Sequence, residues 1–339
     1  MPTPLNIDQF LNLSKGHPVI DVRTAAEFSR GHIPSAFNLS LFDNEERAIV
    51  GTIYKQQGRQ QAILKGLELV GPKMSKLVES AIEISNTDNT LFVHCWRGGM
   101  RSGSVSWLLE MYGFKVYTLK GGYKFFRRSV LNIIDEQRNY IILGGRTGSG
   151  KTEVLAKLRE KGEQIIDLEK LAAHKGSSFG ILGETVNHTQ EHFENLLAME
   201  LRSLDPLKRI WLEDEGRTIG KKVLPLKLWE QMRAANVLFV ELPKNERINY
   251  LIKEYGKFEK ADLVEAVTRI SRRLGSEQTK LALLALQEND LKTTCEICLA
   301  YYDKSYDHGL NQREPNTIKK IAFGKLDPDK ISDSLAAIL

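Results

Sequence analysis

The run Gly145-Arg146-Thr147-Gly148-Ser149-Gly150-Lys151-Thr152 restricts the fold more than any other stretch of the chain. A glycine, four residues and then Gly-Lys-Thr make a complete P-loop. An apolar strand, Tyr140-Ile141-Ile142-Leu143, leads into it, and Glu153-Val154-Leu155-Ala156-Lys157-Leu158 continues as a helix. The backbone amides of such a loop wrap a phosphate chain. Lys151 neutralises the outer charge, and the Thr152 hydroxyl can hold Mg²⁺. Strand, loop and helix in this order imply a parallel sheet with helices against it, and a ligand at the carboxyl ends of the strands. The motif fixes a phosphate chain and not a reaction: a kinase, an ATP-driven step and transfer from any diphosphate would all use it.

The strands expected after the P-loop are Gln164-Ile165-Ile166-Asp167, Arg209-Ile210-Trp211-Leu212 and Asn236-Val237-Leu238-Phe239-Val240-Glu241-Leu242. The second ends in Glu213-Asp214-Glu215, which suits the Mg²⁺-coordinating strand of P-loop proteins. Asp214 is taken with Thr152 as the pair of possible Mg²⁺ ligands, and Glu213 is the other candidate. Two stretches past strand ends read as substrate loops: 168–180, with His174, Lys175 and Ser177, and 216–220, with Arg217. From Asn245 onward the pattern is mostly helical. Arg247, Lys253, Arg269, Arg272 and Arg273 there lie among Tyr250, Tyr255, Tyr301 and Tyr302. That composition suits either an RNA-contacting surface or an ordinary amphipathic bundle. Cys295 and Cys298 have no second pair or histidine set and read as core.

A second strand–loop–helix stands in the first half. Thr90-Leu91-Phe92-Val93 is an apolar strand, His94-Cys95-Trp96-Arg97-Gly98-Gly99-Met100-Arg101-Ser102 a loop, and Gly103 onward a helix. Converging backbone amides, the helix dipole and the charges of Arg97 and Arg101 all favour a thiolate at Cys95, the reactive form of the residue. The same loop would hold an anion against the sulfur. A cysteine, five residues and an arginine also fit the phosphatase signature of dual-specificity enzymes. That chemistry needs an acid for the leaving group, and the loop holds no aspartate.

The chain has 339 residues, enough for two domains. The divisions expected are 1–127, a connecting helix at 128–138, and 139–339. No Gly/Ser- or Pro-rich linker joins the halves, so close packing is expected. No apolar run approaches membrane-spanning length, no signal-peptide pattern opens the chain, and there are only three cysteines. These features point to a reducing cytoplasm and no membrane. The net charge of +5 permits a polyanionic partner without requiring one. In the first half, Pro18-Val19-Ile20-Asp21-Val22-Arg23 and Ala36-Phe37-Asn38-Leu39 are strands, and Thr24 with Glu27 caps a helix. Residues 46–67 read as one long helix rich in basic and amide groups, and a helix runs from Tyr123 to Glu136.

Asp21-Val22-Arg23, Glu27-Phe28, Gly31-His32-Ile33-Pro34-Ser35-Ala36, the Cys95 loop and the closing Gly121-Gly122 resemble a rhodanese domain. The resemblance implies a cysteine that carries a sulfur-family atom as a persulfide-type intermediate. Asp21, Arg23, Glu27 and His32 read as framework, a salt-bridged corner between strand and helix. The fold expected is thus α/β: an N-terminal rhodanese-like domain plus a P-loop NTPase-like parallel-sheet domain with C-terminal helices. The combination, with 50–72, His174-Lys175-Gly176-Ser177 and 213–220, resembles the tRNA 2-selenouridine synthase family. That resemblance implies replacement of sulfur by selenium in the wobble 2-thiouridine of tRNAs for lysine, glutamate and glutamine. It implies selenophosphate as donor, with a selenophosphate-producing enzyme as partner, and an S-geranyl intermediate made from geranyl diphosphate. Cys95 would carry selenium as an S-selanyl group, with Arg97 and Arg101 on its phosphate. The P-loop, with Mg²⁺, would hold the diphosphate. An ATP-dependent tRNA sulfurtransferase and a phosphatase-like regulator remain the alternatives.

Overall fold

A computed structural model describes residues 2–174 and 188–338. They form two compact units, Met1–Ile133 with Glu191–Met199, and Ile134–Gln190 with Glu200–Leu339.

The first unit is built on five parallel strands: β1 (Thr3–Leu5), β2 (Val19–Asp21), β3 (Phe37–Asn38), β4 (Thr90–His94) and β5 (Lys115–Leu119), in the order β1-β5-β4-β2-β3. Strand β4 is central and buried at every position, as a strand covered on both faces must be. Its register against β2 sets His94 beside Asp21 and Val93 beside Ile20. The core joins Leu91, Val93 and Cys95 to Val105, Leu108 and Leu109 of the helix Met100–Tyr112. That helix starts three residues before the expected Gly103 and takes Ser102 into its first turn. Thr24 and Glu27 form the expected capping box, each side chain accepting from the other's backbone N–H.

Residues 46–67 are not one helix. Asn44–Gln56 and Arg59–Val70 are separated at Gly58, whose φ of +90° lies where a side chain is strained. The helix Gly122–Asp135 is continuous through the division expected at 127, and the first unit ends at Ile133. Glu191–Met199, expected with the second domain, packs in the first unit. The reason is polar as well as apolar: the Asn195 amide donates to the Tyr123 hydroxyl oxygen at 2.8 Å and to the His32 carbonyl at 2.9 Å. Arg127 binds Glu194 and Asn195.

The second unit carries β6 (Tyr140–Gly145), β7 (Gln164–Ile166), β8 (Ile210–Glu213), a short antiparallel hairpin of β9 (Thr218–Ile219) and β10 (Lys222–Val223), β11 (Asn236–Glu241) and β12 (Ile318–Ala322). Its main sheet is parallel, in the order β12-β11-β6-β8-β7, so β6 is central. The C-terminal part is helical as expected except for β12, which pairs with β11 from Val237↔Ile318 to Glu241↔Ala322. This edge strand has Lys319 and Lys320 exposed, which protects it from pairing further and hides its strand pattern in sequence. No helix among the described residues is long and apolar enough to cross a membrane.

Candidate functional site

Each central strand ends in a glycine-rich loop. In the first unit, β4 delivers Cys95 to the floor of its loop, where the residue is 3% exposed. Gly98 (φ +62°) and Gly122 (φ +58°) interlock beneath it: a Cβ on Gly122 would lie 2.3 Å from the Cys95 carbonyl oxygen and 2.4 Å from the Gly98 nitrogen. The closing Gly121-Gly122 therefore shapes the loop from below, and the Tyr123 and Lys124 amides donate to the Cys95 and Trp96 carbonyls at 2.9 Å. The Ser102 hydroxyl is 3.2 Å from the sulfur, and the Gly99 N–H donates to it at 3.4 Å. Burial alone would push the thiol up; the hydrogen bonds of Ser102 and of the Gly99 and Arg97 amides outweigh it and bring the thiol below its ordinary value. The sulfur is thus surrounded by hydrogen-bond donors that favour its charged form, and not by a charged neighbour.

The two arginines expected to charge this loop do different things. Arg97 has an exposed side chain and contributes its backbone N–H. Arg101 is paired with Glu27, at 2.7 Å and 3.3 Å, so its charge is already shared within the protein. Beneath them lies the framework corner. Asp21 and Arg23 form a fully buried bidentate pair, with a shortest contact of 2.6 Å, and Arg23 lies 3.7 Å from the Tyr123 ring centroid. Against burial, which would raise it, Arg23 holds the Asp21 carboxyl below the usual range. Burial keeps His94 uncharged, although Asp21 is 3.8 Å away. His32 stacks on Phe28, with ring centroids 3.8 Å apart. Asp21, Arg23 and His32 are framework, as expected, whereas Glu27 also governs a loop arginine.

In the second unit, β6 runs into the P-loop and the helix Lys151–Glu160 leaves it. Gly150 occupies the left-handed region (φ +66°) that turns the loop into the helix. The Lys151 ammonium donates to the Gly145 carbonyl at 3.0 Å and faces Glu213 at 3.3 Å, while the Thr152 hydroxyl donates to Glu213 at 3.4 Å. Burial would lower Lys151, but Glu213, Glu215 and Glu169 outweigh it and raise it. Those three carboxylates offer oxygens within 4.8 Å of one another. Burial and repulsion from Glu213 push Glu169 up to about 9 and Glu215 to about 8, and burial with the nearby Asp167 raises Glu213 as well. Three hard oxygen donors beside a P-loop hydroxyl fit a divalent cation such as Mg²⁺.

Asp214 is not part of that set. One oxygen pairs with Arg313 at 2.6 Å and the other accepts from the Tyr306 hydroxyl at 2.8 Å. Strand β8 ends at Glu213, and a tight turn follows with the Glu215 N–H donating to the Glu213 carbonyl at 2.9 Å, which leaves Asp214 at the apex between the two glutamates. Tyr306 in turn accepts from the Gly145 N–H at 3.0 Å. Arg146 is held by Asp307, at 3.0 Å and 3.1 Å, and Arg247 binds Asp303 and the Thr147 carbonyl. Tyr306, Asp307 and Asp303 stand on the helix Leu291–Leu310, with Tyr306 and Asp307 161 residues from their P-loop partners, and nothing local announces them.

Around the P-loop opens a cleft of about 1090 Å³. It contains Thr147 to Thr152, the three glutamates, His174 and Arg217, together with Arg269, Arg273, Tyr255, Tyr301 and Tyr302 from the C-terminal helices. His174 abuts the hairpin turn at Gly220. Lys175 and Ser177 lie outside the described residues. Of the basic and aromatic set, Arg247 is buried and structural, Tyr250 lines the cleft while bonded to Glu153, the others named here line it too, and Lys253 and Arg272 do not.

Residues 6–129 match the family described as the Rhodanese-like domain, and residues 138–325 match the tRNA 2-selenouridine synthase AAA domain. Relatives resemble nearly the whole chain. A tRNA 2-selenouridine synthase of Proteus mirabilis is 36% identical, covering 90% of this chain and 92% of its own length. That of Shewanella woodyi is 35% identical, covering 90% and 91%, and that of Sulfurovum sp. 36%, covering 87% and 89%.

Proposed function

The chain belongs to the tRNA 2-selenouridine synthase family, a family of tRNA-modifying enzymes, and from that membership we propose that its two loops divide one conversion between them. The wobble 2-thiouridine of tRNAs for lysine, glutamate and glutamine is first S-geranylated from geranyl diphosphate and then converted to 2-selenouridine with selenophosphate. The observation that supports the division is that each unit has its own anion cradle after its central strand. One surrounds a thiol, the other a lysine, a hydroxyl and three carboxylates.

In the first step the thiocarbonyl sulfur attacks C1 of geranyl diphosphate. The C1–O bond breaks, a C1–S bond forms, pyrophosphate leaves and N3 of the base loses its proton. The P-loop amides and Lys151 take up the charge that grows on the pyrophosphate. Thr152, Glu213, Glu215 and Glu169 are the residues that would hold Mg²⁺, whose chemistry there is further neutralisation of that charge. Alkylation has a purpose: sulfide leaves a carbon poorly, while a thioether sulfur leaves as a thiol.

In the second step selenium replaces the geranyl thiol at C2 and water takes the phosphoryl group, so selenium stays at the selenide level throughout. The loop amides around Cys95 receive the selenophosphate. In the fuller form of the proposal, Cys95 carries the selenium as an S-selanyl group. Loading removes two electrons and delivery returns them, so this form requires a disulfide as acceptor and its dithiol as donor. A selenium adduct on Cys95, seen by intact-protein mass spectrometry, separates carriage from simple capture. The basic and tyrosine-rich face of the cleft supports entry of an unstacked tRNA nucleotide.

Nucleoside mass spectrometry tests the whole. With 2-thiouridine tRNA, Mg²⁺ and geranyl diphosphate, a geranyl adduct is expected, converting to 2-selenouridine when selenophosphate is added. A selenium product that consumes ATP and ignores geranyl diphosphate would overturn the reading.

A further inference from the structure

Of the two arginines in the Cys95 loop, Arg101 is tied to Glu27 and only Arg97 stands exposed. A third arginine reaches the same loop from outside it. The helices Asn44–Gln56 and Arg59–Val70 pack against each other as a hairpin. Val50 of the first helix, with Leu69 and Val70 at the end of the second, packs against the core that holds Cys95, Val105 and Leu108. The turn of the hairpin lies at Gln57-Gly58. A Cβ on Gly58 would meet nothing within 4 Å, so the positive φ alone calls for glycine there. That turn makes Arg59 the first residue of the second helix. The Arg59 guanidinium lies 3.8 Å from the sulfur of Met100. Met100 opens the helix that leaves the Cys95 loop, directly after Gly99, whose N–H donates to the Cys95 sulfur at 3.4 Å. Side chains lean toward the N-terminus of their helix, so Met100 leans toward the end where the loop amides gather. Arg59 meets it there.

The fold gives Arg59 no reason to be an arginine. It is exposed, and among the described residues it pairs with no carboxylate. A cation at the first position of a helix opposes the helix dipole, and no acidic side chain stands in that first turn to offset it. Its neighbours Lys55, Gln57 and Gln60 are exposed donors as well. We infer that Arg59, together with Arg97, completes the anion cradle at Cys95 and holds the phosphoryl oxygens of selenophosphate. The inference rests on the selenation proposed above and adds to it a full charge that Arg101, paired with Glu27, does not supply. The loop amides orient the anion, and the planar fork of a guanidinium suits two oxygens of one phosphate. Because this charge arrives on a separate hairpin, it acts on the ligand while neutral donors tune the sulfur.

Charge at the mouth of the loop can be read without the whole reaction. In the full chain, alkylation of Cys95 is timed by peptide mass spectrometry with iodoacetate, an anion, and with iodoacetamide, its neutral counterpart. A change in the acidity of the thiol moves both rates alike, so their ratio isolates the charge. Arg59→Ala should lower the iodoacetate-to-iodoacetamide ratio about two- to fivefold, Arg59→Glu should lower it further, and Arg59→Lys should keep most of it. High salt should erase these differences. With S-geranyl-2-thiouridine tRNA, Arg59→Ala should raise KM for selenophosphate on the order of tenfold, the usual effect of losing a hydrogen bond to a charged group. Arg59→Lys should restore part of it, and KM for the tRNA should not change. An unmoved ratio in folded Arg59→Ala would overturn the placement of Arg59 at the anion, whatever the reaction. A raised KM for tRNA with an unmoved KM for selenophosphate would overturn the ligand and give the residue to the nucleic-acid backbone. A moved ratio in protein whose unmodified form makes no 2-selenouridine would overturn selenophosphate as the ligand, and the selenation reading with it.

Discussion

The Cys95 loop and the P-loop start from the same architecture. Each follows the central strand of a five-stranded parallel sheet, β4 or β6, and each enters a helix through glycines with positive φ. They differ in what surrounds the converging amides. At Cys95 the neighbours are neutral donors, and the loop arginine Arg101 is tied to Glu27. At the P-loop one lysine faces three carboxylates. One loop therefore brings its own nucleophile and tunes it by hydrogen bonds. The other brings a cation and a cluster of carboxyl groups whose raised proton affinity a bound divalent cation would reverse. Backbone geometry makes an anion site in both, and the side chains decide whether the protein attacks or merely holds.

The sharpest way to break this contrast is Cys95→Ala. It should abolish selenation and leave geranyl transfer intact, as read by nucleoside mass spectrometry. Loss of both activities in folded protein would mean the loops do not divide the work. Lys151→Ala should cost about 10²–10³-fold in geranyl transfer, the usual toll for one preorganised charge-stabilising group, without changing the alkylation rate of Cys95. A normal geranylation rate would contradict the role given to the P-loop. Asp21→Asn, which strands Arg23 in a site where both side chains are at most 1% exposed, should destabilise the protein by about 3–5 kcal/mol in denaturant unfolding. Pyrophosphate inhibition should persist below the transition, because that corner belongs to the first unit. The smallest effect concerns the thiol. Donors stabilise the charged form, so the midpoint of Cys95 alkylation against pH should lie below the ordinary 9.0. Ser102→Ala should move it up and slow alkylation near pH 7 on the order of tenfold. An unmoved midpoint would show that the hydroxyl is not a donor to the sulfur.

Both anion loops were legible because their strands are apolar on both faces and their turns need glycine, signals that are local. The capping of Thr24 by Glu27 was legible for the same reason. What escaped was set at long range or by backbone conformation. Asp214 looks like a metal ligand in sequence but is consumed by Arg313, 99 residues on, and by Tyr306, 92 residues on. Glu27 looks like pure framework because its partner Arg101 is 74 residues away. Strand β12 escaped because exposed lysines at two of its five positions erase the apolar run of a buried strand. Gly58 was visible, yet inside a helical pattern a single glycine is often tolerated, and only its positive φ shows that the helix ends there.

The placement of Glu191–Met199 has a consequence for the order in which the chain can mature. The first unit is not a contiguous stretch. As the chain is synthesised from its N-terminus, Tyr123 and His32 must wait for Asn195, whose amide bonds both, and by then β6, the P-loop and β7 have already emerged. The thiol-bearing half therefore finishes folding late, against a background of half-made second unit. A fragment cut at Ile133 would lack one of its own walls, while the sequence separation of that contact makes it among the slower ones to form.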